Sequence, residues 1–268
     1  MPIRCHYQLN PISQEEFYEV DYRIMELVFA IHNEFGRLYN EKIYQVELAD
    51  RCIKIGLGSV LTEVPVEVSF QDFSKMYYLD LVINDSLIYE LKTVIAITGD
   101  HQKQLINYLL LTGLNYGKII NFKTRSVKHR FVSTTLTPES RFDYEIDDSN
   151  WESLDEDSIW LKELISKLIL EWGAFLDLQL FWDAIIYFRG GEGKVVRNIE
   201  IKNDSIVLGK QRVHLLNDKT SFIISAITGQ VSHYESNLRK FIQHTSLQAI
   251  QWINMGHHWI LFKTIKAE

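Results

Sequence analysis

Cysteine is nearly missing from the 268 residues, with Cys5 and Cys52 the only two. They cannot build a disulfide framework or a cysteine-rich zinc site, which suits a reducing cytosol. No run approaches the roughly 18 apolar residues of a membrane-spanning helix, so no membrane association is expected. The start of the chain, Met1-Pro-Ile-Arg-Cys-His-Tyr, lacks the apolar core of a secretory signal, and a cytoplasmic location is expected. Positive charge is also short. There are 28 Lys and Arg against 35 Asp and Glu, a formal charge of −7, which argues against a generic electrostatic coat for DNA. What remains is ordinary: 46% hydrophobic and 24% charged residues, a composition that argues against disorder, collagen-like repeats and a coiled coil. The length suits one large or two small domains, either able to bury a core without staples.

Acidic residues concentrate in one place. Glu139, Asp143, Glu145, Asp147, Asp148, Glu152, Asp155, Glu156 and Asp157 follow Pro138 with a single Arg among them. Such a run repels itself and stays solvated, so residues 139–156 read as a linker between domains at 1–138 and 157–268. A long acidic loop within one domain is the alternative.

Before that segment the apolar spacing predicts helices over 14–36, 41–54 and 101–113. Alternation predicts strands over 64–70, 77–83, 87–94, 117–122 and 128–134, with Asn84-Asp85-Ser86 a turn of hairpin length. After it, the pattern recurs. A shift of 133 residues carries Asn84-Asp85 onto Asn217-Asp218, Glu67 onto Glu200, Leu105 onto Leu238 and Asn121 onto Asn254. Upstream a shift of 137 carries Glu26-Leu27 onto Glu163-Leu164 and Gly36 onto Gly173. This is the signature of a diverged internal duplication. Two unrelated α/β halves are the alternative.

The hairpin carries the sharpest chemical signal. A turn centred on Asp85 sets residues 80 and 90 opposite each other, and alternation brings Asp80, Glu90 and Lys92 to one patch. Two carboxylates among Leu79, Leu81, Tyr89 and Leu91 repel and are costly to desolvate. A divalent cation removes that penalty, and hard oxygen ligands suit Mg²⁺ or Mn²⁺. A lysine two residues beyond the second carboxylate can orient a water or balance developing negative charge. Spacing alone also fits a solvent-facing ion cluster on a half-exposed hairpin. His101, Gln104 and Tyr108 share one face of the next helix and could line the patch, or could be helix surface plus a core tyrosine. Glu41 opens the helix over 41–54, where it could complement the helix dipole or bind metal. Lys118, Lys123, Arg125, Lys128, His129 and Arg130 form a basic stretch that could neutralise phosphates or could be an ordinary charged edge. His257-His258 lack a third ligand at suitable spacing and read as surface or turn residues. Gly190-Gly191-Glu192-Gly193 lacks the Lys-Ser/Thr of a phosphate-binding loop and reads as a turn. No Ser-His-Asp or Cys-His pattern can be placed.

Taken in order, Glu34-Phe-Gly36, Glu41-Lys-Ile-Tyr44, Asp80, Glu90-Leu-Lys92, His101, Gln104, Tyr108 and Gly117-Lys-Ile-Ile-Asn121-Phe122 resemble the GxxExxY proteins of the PD-(D/E)xK nuclease superfamily. The resemblance covers roughly residues 20–135. One position departs: the glycine three residues before Glu41 is Leu38 here. The Gln104-x-x-x-Tyr108 element is also similar to one in exonucleases of bacterial recombination complexes. The resemblance implies that Asp80 and Glu90 hold a metal with help from Glu41, that Lys92 serves the attacking water, and that Gln104 and Tyr108 support the site or the substrate strand. Under the repeat shifts Asp80, Glu90 and Lys92 become Val213, Ile223 and Ser225, and Glu41 becomes Leu178. A copy without metal need not keep buried carboxylates.

The expected fold is therefore α/β: a tandem duplication of a restriction-endonuclease-like core, a mixed sheet flanked by helices, with a degenerate second copy. The expected activity is hydrolysis of nucleic-acid phosphodiesters dependent on Mg²⁺ or Mn²⁺, DNA ahead of RNA, in a chain that could dimerise through either repeat. The rival from another class is a non-catalytic module for nucleic acid or protein that keeps the nuclease fold.

Overall fold

The computed structural model describes residues 2–256 and 258–267. The chain divides into two compact units, Met1–Ser140 and Arg141–Glu268.

The first unit opens with a short strand β1 (Ile3–Cys5), then α1 (Gln14–Phe35) and α2 (Glu41–Lys54). Ser13 starts α1 with a reciprocal cap: its hydroxyl accepts from the Glu16 N–H, and the Glu16 carboxylate accepts from the Ser13 N–H. Gly36 ends it at φ 72°, a conformation that costs glycine little. Three strands follow, β2 (Val60–Phe70), β3 (Phe73–Ile83) and β4 (Leu87–Lys92). Then come α3 (Gly99–Thr112), β5 (Tyr116–Asn121) and β6 (Lys128–Ser133). The sheet runs β1-β2-β3-β4-β5-β6; all neighbours are antiparallel except β4 and β5, which α3 joins as a parallel pair.

The β3–β4 turn is built from Asn84 and Asp85, both at positive φ, with the Ser86 N–H bonded to the Ile83 carbonyl. Asn and Asp tolerate this hairpin geometry better than other side chains. Ser59 donates to the Asp85 carboxylate at 2.7 Å, and Gly58 leaves room for the Asn84 side chain. Phe17, Ile24, Val28 and Ile31 of α1 pack with Tyr44, Leu48 and Cys52 of α2 over Leu81, Tyr89, Leu91 and Ile120 of the sheet and Phe122 just beyond β5. Burial of side chains of this size contributes on the order of 1.5–3 kcal/mol each. Leu105 of α3 closes against Gly117 of β5.

The second unit contains β7 (Glu145–Asn150), α4 (Glu156–Trp172), α5 (Leu178–Phe188), a single turn α6 (Glu192–Val195), β8 (Val196–Asn203), β9 (Ile206–His214), β10 (Thr220–Ser225), α7 (Val231–Gln243), β11 (Ala249–Gly256) and β12 (Trp259–Lys266). Its main sheet runs β10-β11-β12-β7, and β8 and β9 form a separate two-stranded ribbon. A single bridge, Leu215 to Ser221, continues from that ribbon toward β10.

One expectation needs correction here. The acidic stretch is not a free linker, because residues 145–150 form β7 and pair parallel with β12. β7 is an edge strand whose acids face solvent, where charge discourages pairing with another chain. Lys162 neutralises Asp148 at 2.6 Å, Lys266 pairs with Glu152, and Asp155 caps α4 through the Ser158 N–H. The β8–β9 ribbon stands apart from the main sheet of its unit, whereas β2 and β3 belong to the six-stranded sheet.

Apart from the single turn α6 in the second unit, the order of helices and strands nevertheless recurs: two helices, a hairpin, a strand, a helix and two strands. Lys92 pairs with Asn121, and Ser225 pairs with Asn254, each 133 residues on. Asn121 pairs with Lys128, and Asn254 with Leu261, again at that spacing. Gly190 and Gly191, both at positive φ, form the turn after α5. His258 is exposed, with Nδ1 2.6 Å from the Asp143 carbonyl; His257 lies outside the described residues. No helix among the described residues is long and apolar enough to cross a membrane.

Candidate active site

β3 and β4 pair regularly from Ile83–Leu87 to Leu81–Tyr89. One step further, residues 80 and 90 face each other in register but no longer form a ladder pair. The Asp80 carboxylate instead accepts the Leu91 backbone N–H at 2.8 Å. The ladder between the two strands stops at the point where both acids stand.

Glu90 is 1% exposed. Its Oε1 accepts Lys92 Nζ at 2.6 Å. Its Oε2 is buried and has no hydrogen-bond partner. A buried carboxylate oxygen left unpaired is expensive unless it is protonated or meets a cation. Burial, with the Asp80 charge adding to it, pushes Glu90 up to about 8, against the opposing pull of Lys92. Burial also lifts Asp80 to about 6, opposed by the Leu91 N–H and the Lys92 charge. Glu41, in the first turn of α2 behind its Asn40 cap, is raised by burial and held back by Lys92 and the Thr93 N–H. Burial acts against the Lys92 charge, but the carboxylates around it outweigh that and raise it. One ammonium thus faces three carboxyls. The site carries more potential negative charge than its own cation balances.

A cleft of about 270 Å³ adjoins Asp80, lined also by Asn40, Glu41, Lys42, Gln45 and Glu63. Gln45 fixes its wall. Its side-chain amide donates to the Asp80 carbonyl at 2.6 Å and to Glu63 at 3.0 Å. Lys42 holds the other side of Glu63 at 2.9 Å. Sequence reasoning missed Gln45 and Glu63. Glu63 sits at φ 52° inside β2, a local irregularity that no sequence pattern announces.

The remaining site residues divide. Gln104 donates to the Tyr108 hydroxyl at 2.9 Å, and the Tyr108 ring meets Tyr77 edge-on. His101 caps α3, its Nδ1 accepting the Thr98 N–H. Lys123 and Arg125 are exposed on the loop after β5, and Lys128 and Arg130 on the edge strand β6. Lys118 has to be withdrawn as a nucleic-acid contact. It is 5% exposed and ion-paired with buried Asp21 of α1, which also accepts the Tyr89 hydroxyl. β5 lies inside the sheet, so alternate side chains on it point into the core rather than to solvent.

Among the described residues, no group of three His, Cys, Asp or Glu side chains encloses a metal position. Two carboxylates are still a sufficient protein contribution for magnesium, which keeps several of its waters.

Residues 18–132 match a family model described as the PD-(D/E)XK nuclease superfamily. No curated protein and no solved structure matches the chain.

Proposed function

We propose that the first unit is a metal-dependent nuclease of the GxxExxY group of PD-(D/E)xK proteins, acting on DNA ahead of RNA. The match over residues 18–132 suggests nuclease activity on nucleic acid with a divalent cation. The observation that carries the reading is the Glu90 Oε2 atom, buried and unpartnered, on the hairpin where the β3–β4 ladder stops at Asp80.

The donor set fits a hard cation: Asp80 and Glu90 would hold it, with Glu41 assisting from α2. When bound, magnesium or manganese supplies Lewis-acid stabilisation of negative charge on the phosphoryl oxygens. Lys92 is already anchored by Glu90, so its remaining N–H donors can orient a water or the phosphate. Gln45 and the Leu91 N–H keep Asp80 fixed from both its carbonyl and its carboxylate. The Gln104–Tyr108 pair gives α3 a polar handle for the substrate strand. With one such set per chain, a monomer would make single-strand cuts or act as an exonuclease, and a double-strand cut in one event would need a second chain.

We also infer that the second unit is a diverged copy of the first. Asn121 brackets Val94, taking its N–H at 3.1 Å and giving to its carbonyl at 2.8 Å. Asn254 brackets Ile227 in the same way, at 2.7 and 2.9 Å. Where the first unit has Lys92, the second has Ser225, buried and bonded to Trp252 and Asn254. The second unit would keep the frame and lack the chemistry.

The lack of a three-donor cluster among the described residues favours a second reading, a non-catalytic module with the nuclease fold. Calorimetric titration with Mn²⁺ separates the two. The nuclease reading expects saturable binding that Asp80→Asn removes, and the rival expects no difference between the proteins.

A further inference from the structure

A second cleft, of about 400 Å³, is lined by Arg37, Leu38, Ile95, Lys123, Thr124 and Arg125. We infer that it holds one unpaired nucleotide of a single-stranded polynucleotide, its phosphates on Arg37, Lys123 and Arg125 and its base against Leu38 and Ile95. The inference rests on the reading of Asp80, Glu90 and Lys92 as the reacting site, and it adds the form of the substrate.

The cleft is connected to that site by the chain on every side. Arg37 and Leu38 precede the Asn40 cap and Glu41. Ile95 lies three residues beyond Lys92, and Lys123 two beyond Asn121, the strand partner of Lys92. The Asn121 side chain ties these two segments together, bonding both polar backbone groups of Val94 and accepting the Lys123 N–H at 3.1 Å. His32 of α1 lies 3.0 Å from the Thr124 carbonyl, which fixes the 122–126 loop from below. Lys123 and Arg125 therefore stand on a loop tied at both ends, Arg37 stands on the connection between α1 and α2, and none of the three has an ion-pair partner among the described residues.

The apolar part is as unusual as the charge. Ile95 is 90% exposed and Leu38 84%, the two most exposed large hydrophobic residues described. A lone exposed leucine needs no explanation. Two of them in one cleft, rimmed by three uncompensated cations in an acidic protein, match the make-up of a strand-binding groove: cations along the backbone and apolar surface against a base. Leu and Ile are also side chains that proteins insert between base steps. The cleft is of nucleotide size, at the small end of ligand pockets of roughly 300–1,000 Å³. A stacked duplex does not offer a base to such a surface, so an unpaired nucleotide is the occupant that uses both features.

The test is fluorescence anisotropy with the full chain in EDTA, which separates binding from cleavage. The probes are single-stranded DNA, single-stranded RNA, blunt duplex DNA and duplex with an unpaired overhang. The native protein is expected to bind the strands and the overhang at least tenfold tighter than the blunt duplex. Arg37→Ala/Lys123→Ala/Arg125→Ala is expected to weaken strand binding tenfold or more. It should also lower the slope of log affinity against log salt by about 2, since each single-strand phosphate contact contributes about 0.7. Leu38→Ser/Ile95→Ser should erase the preference for unpaired probes and leave the salt slope unchanged. These residues are exposed, so melting temperatures should stay within a few degrees and serve as the folding control. The DNA and RNA arms identify the sugar by whichever binds tighter. Unchanged affinity and slope in the triple variant overturn the inference, as does blunt duplex bound as tightly as single strand. Binding lost in the triple variant, in a native protein that cleaves nothing with magnesium or manganese and does not bind Mn²⁺, supports this inference and sinks the nuclease reading. Metal-dependent cleavage unaffected by the triple substitution sinks only this one.

Discussion

The Asp80 carboxylate occupies the place of a backbone ladder bond, accepting the Leu91 N–H at 2.8 Å where the β3–β4 pairing stops. That single contact has two consequences. It satisfies the Leu91 N–H where the β3–β4 ladder no longer does. It also ties the first acid to the strand that carries the second acid and the lysine, so their relative positions are set by backbone rather than by flexible side chains.

Stability should depend on pH in a way that a divalent cation reverses. Glu90 is raised from 4.5 to about 8 and Asp80 from 3.8 to about 6, both by burial first. Carboxyls shifted upward bind more protons in the folded chain than in the unfolded one between those limits. Folding stability contributed by them therefore falls as pH rises through that window, and is lowest above the folded values. Thermal melts in EDTA should show the melting temperature declining from pH 5 to 8. Glu90→Gln should flatten the decline, and millimolar magnesium should restore stability at pH 8 in the native protein but not in the variant. Equal slopes in native and variant proteins would contradict the burial of Glu90.

Lys118 should matter for stability and not for nucleic acid. Its ion pair with Asp21 is buried on both sides, and removing one partner of such a pair costs about 3–5 kcal/mol. Urea unfolding of Lys118→Met should show a loss of that order, and Asp21→Asn/Lys118→Met should recover part of it. A stable Lys118→Met with weakened DNA binding would mean that the lysine faces solvent.

Asn121 and Asn254 should be equivalent for folding and different for function. Each satisfies both half-buried backbone groups of one residue, so Asn→Ala should cost about 1 kcal/mol for each hydrogen bond lost in either unit. Asn121 also anchors the segments around the proposed site of Asp80, Glu90 and Lys92, so Asn121→Ala should lower cleavage well beyond its stability loss while Asn254→Ala leaves it near native. Unfolding curves and cleavage rates on the same two proteins decide this. Equal losses of cleavage would remove the distinction between a working unit and a degenerate one.

The sequence made the local geometry legible and the long-range pairing not. Asn84-Asp85 marked the turn, and counting five residues each way put 80 opposite 90, the register that the Leu81–Tyr89 pair continues. Apolar spacing marked α1 and α2, whose buried residues follow one helical face. Lys118 was misread because its partner Asp21 lies 97 residues away on α1, and nothing local distinguishes a lysine on an interior strand from one on an edge. β7 was misread for the opposite reason: on an edge strand with both faces wet, a run of acids has the composition of a linker. Gln45 and Glu63 were missed because their roles come from a cleft formed by α2, β2 and β3 together. Leu38 stood out only as a departure from glycine, and its exposure beside Ile95 is visible only in three dimensions.

The most direct measurement is cleavage of labelled single- and double-stranded DNA and RNA by the full chain with Mg²⁺, Mn²⁺ or EDTA, beside Asp80→Asn and Lys92→Ala. Metal-dependent cleavage that falls by at least a hundredfold in both variants, with melting temperatures retained, is the predicted result. Cleavage that survives Asp80→Asn, or a folded native protein that neither cuts any substrate nor binds Mn²⁺, would contradict the assignment of Asp80, Glu90 and Lys92 as a nuclease centre.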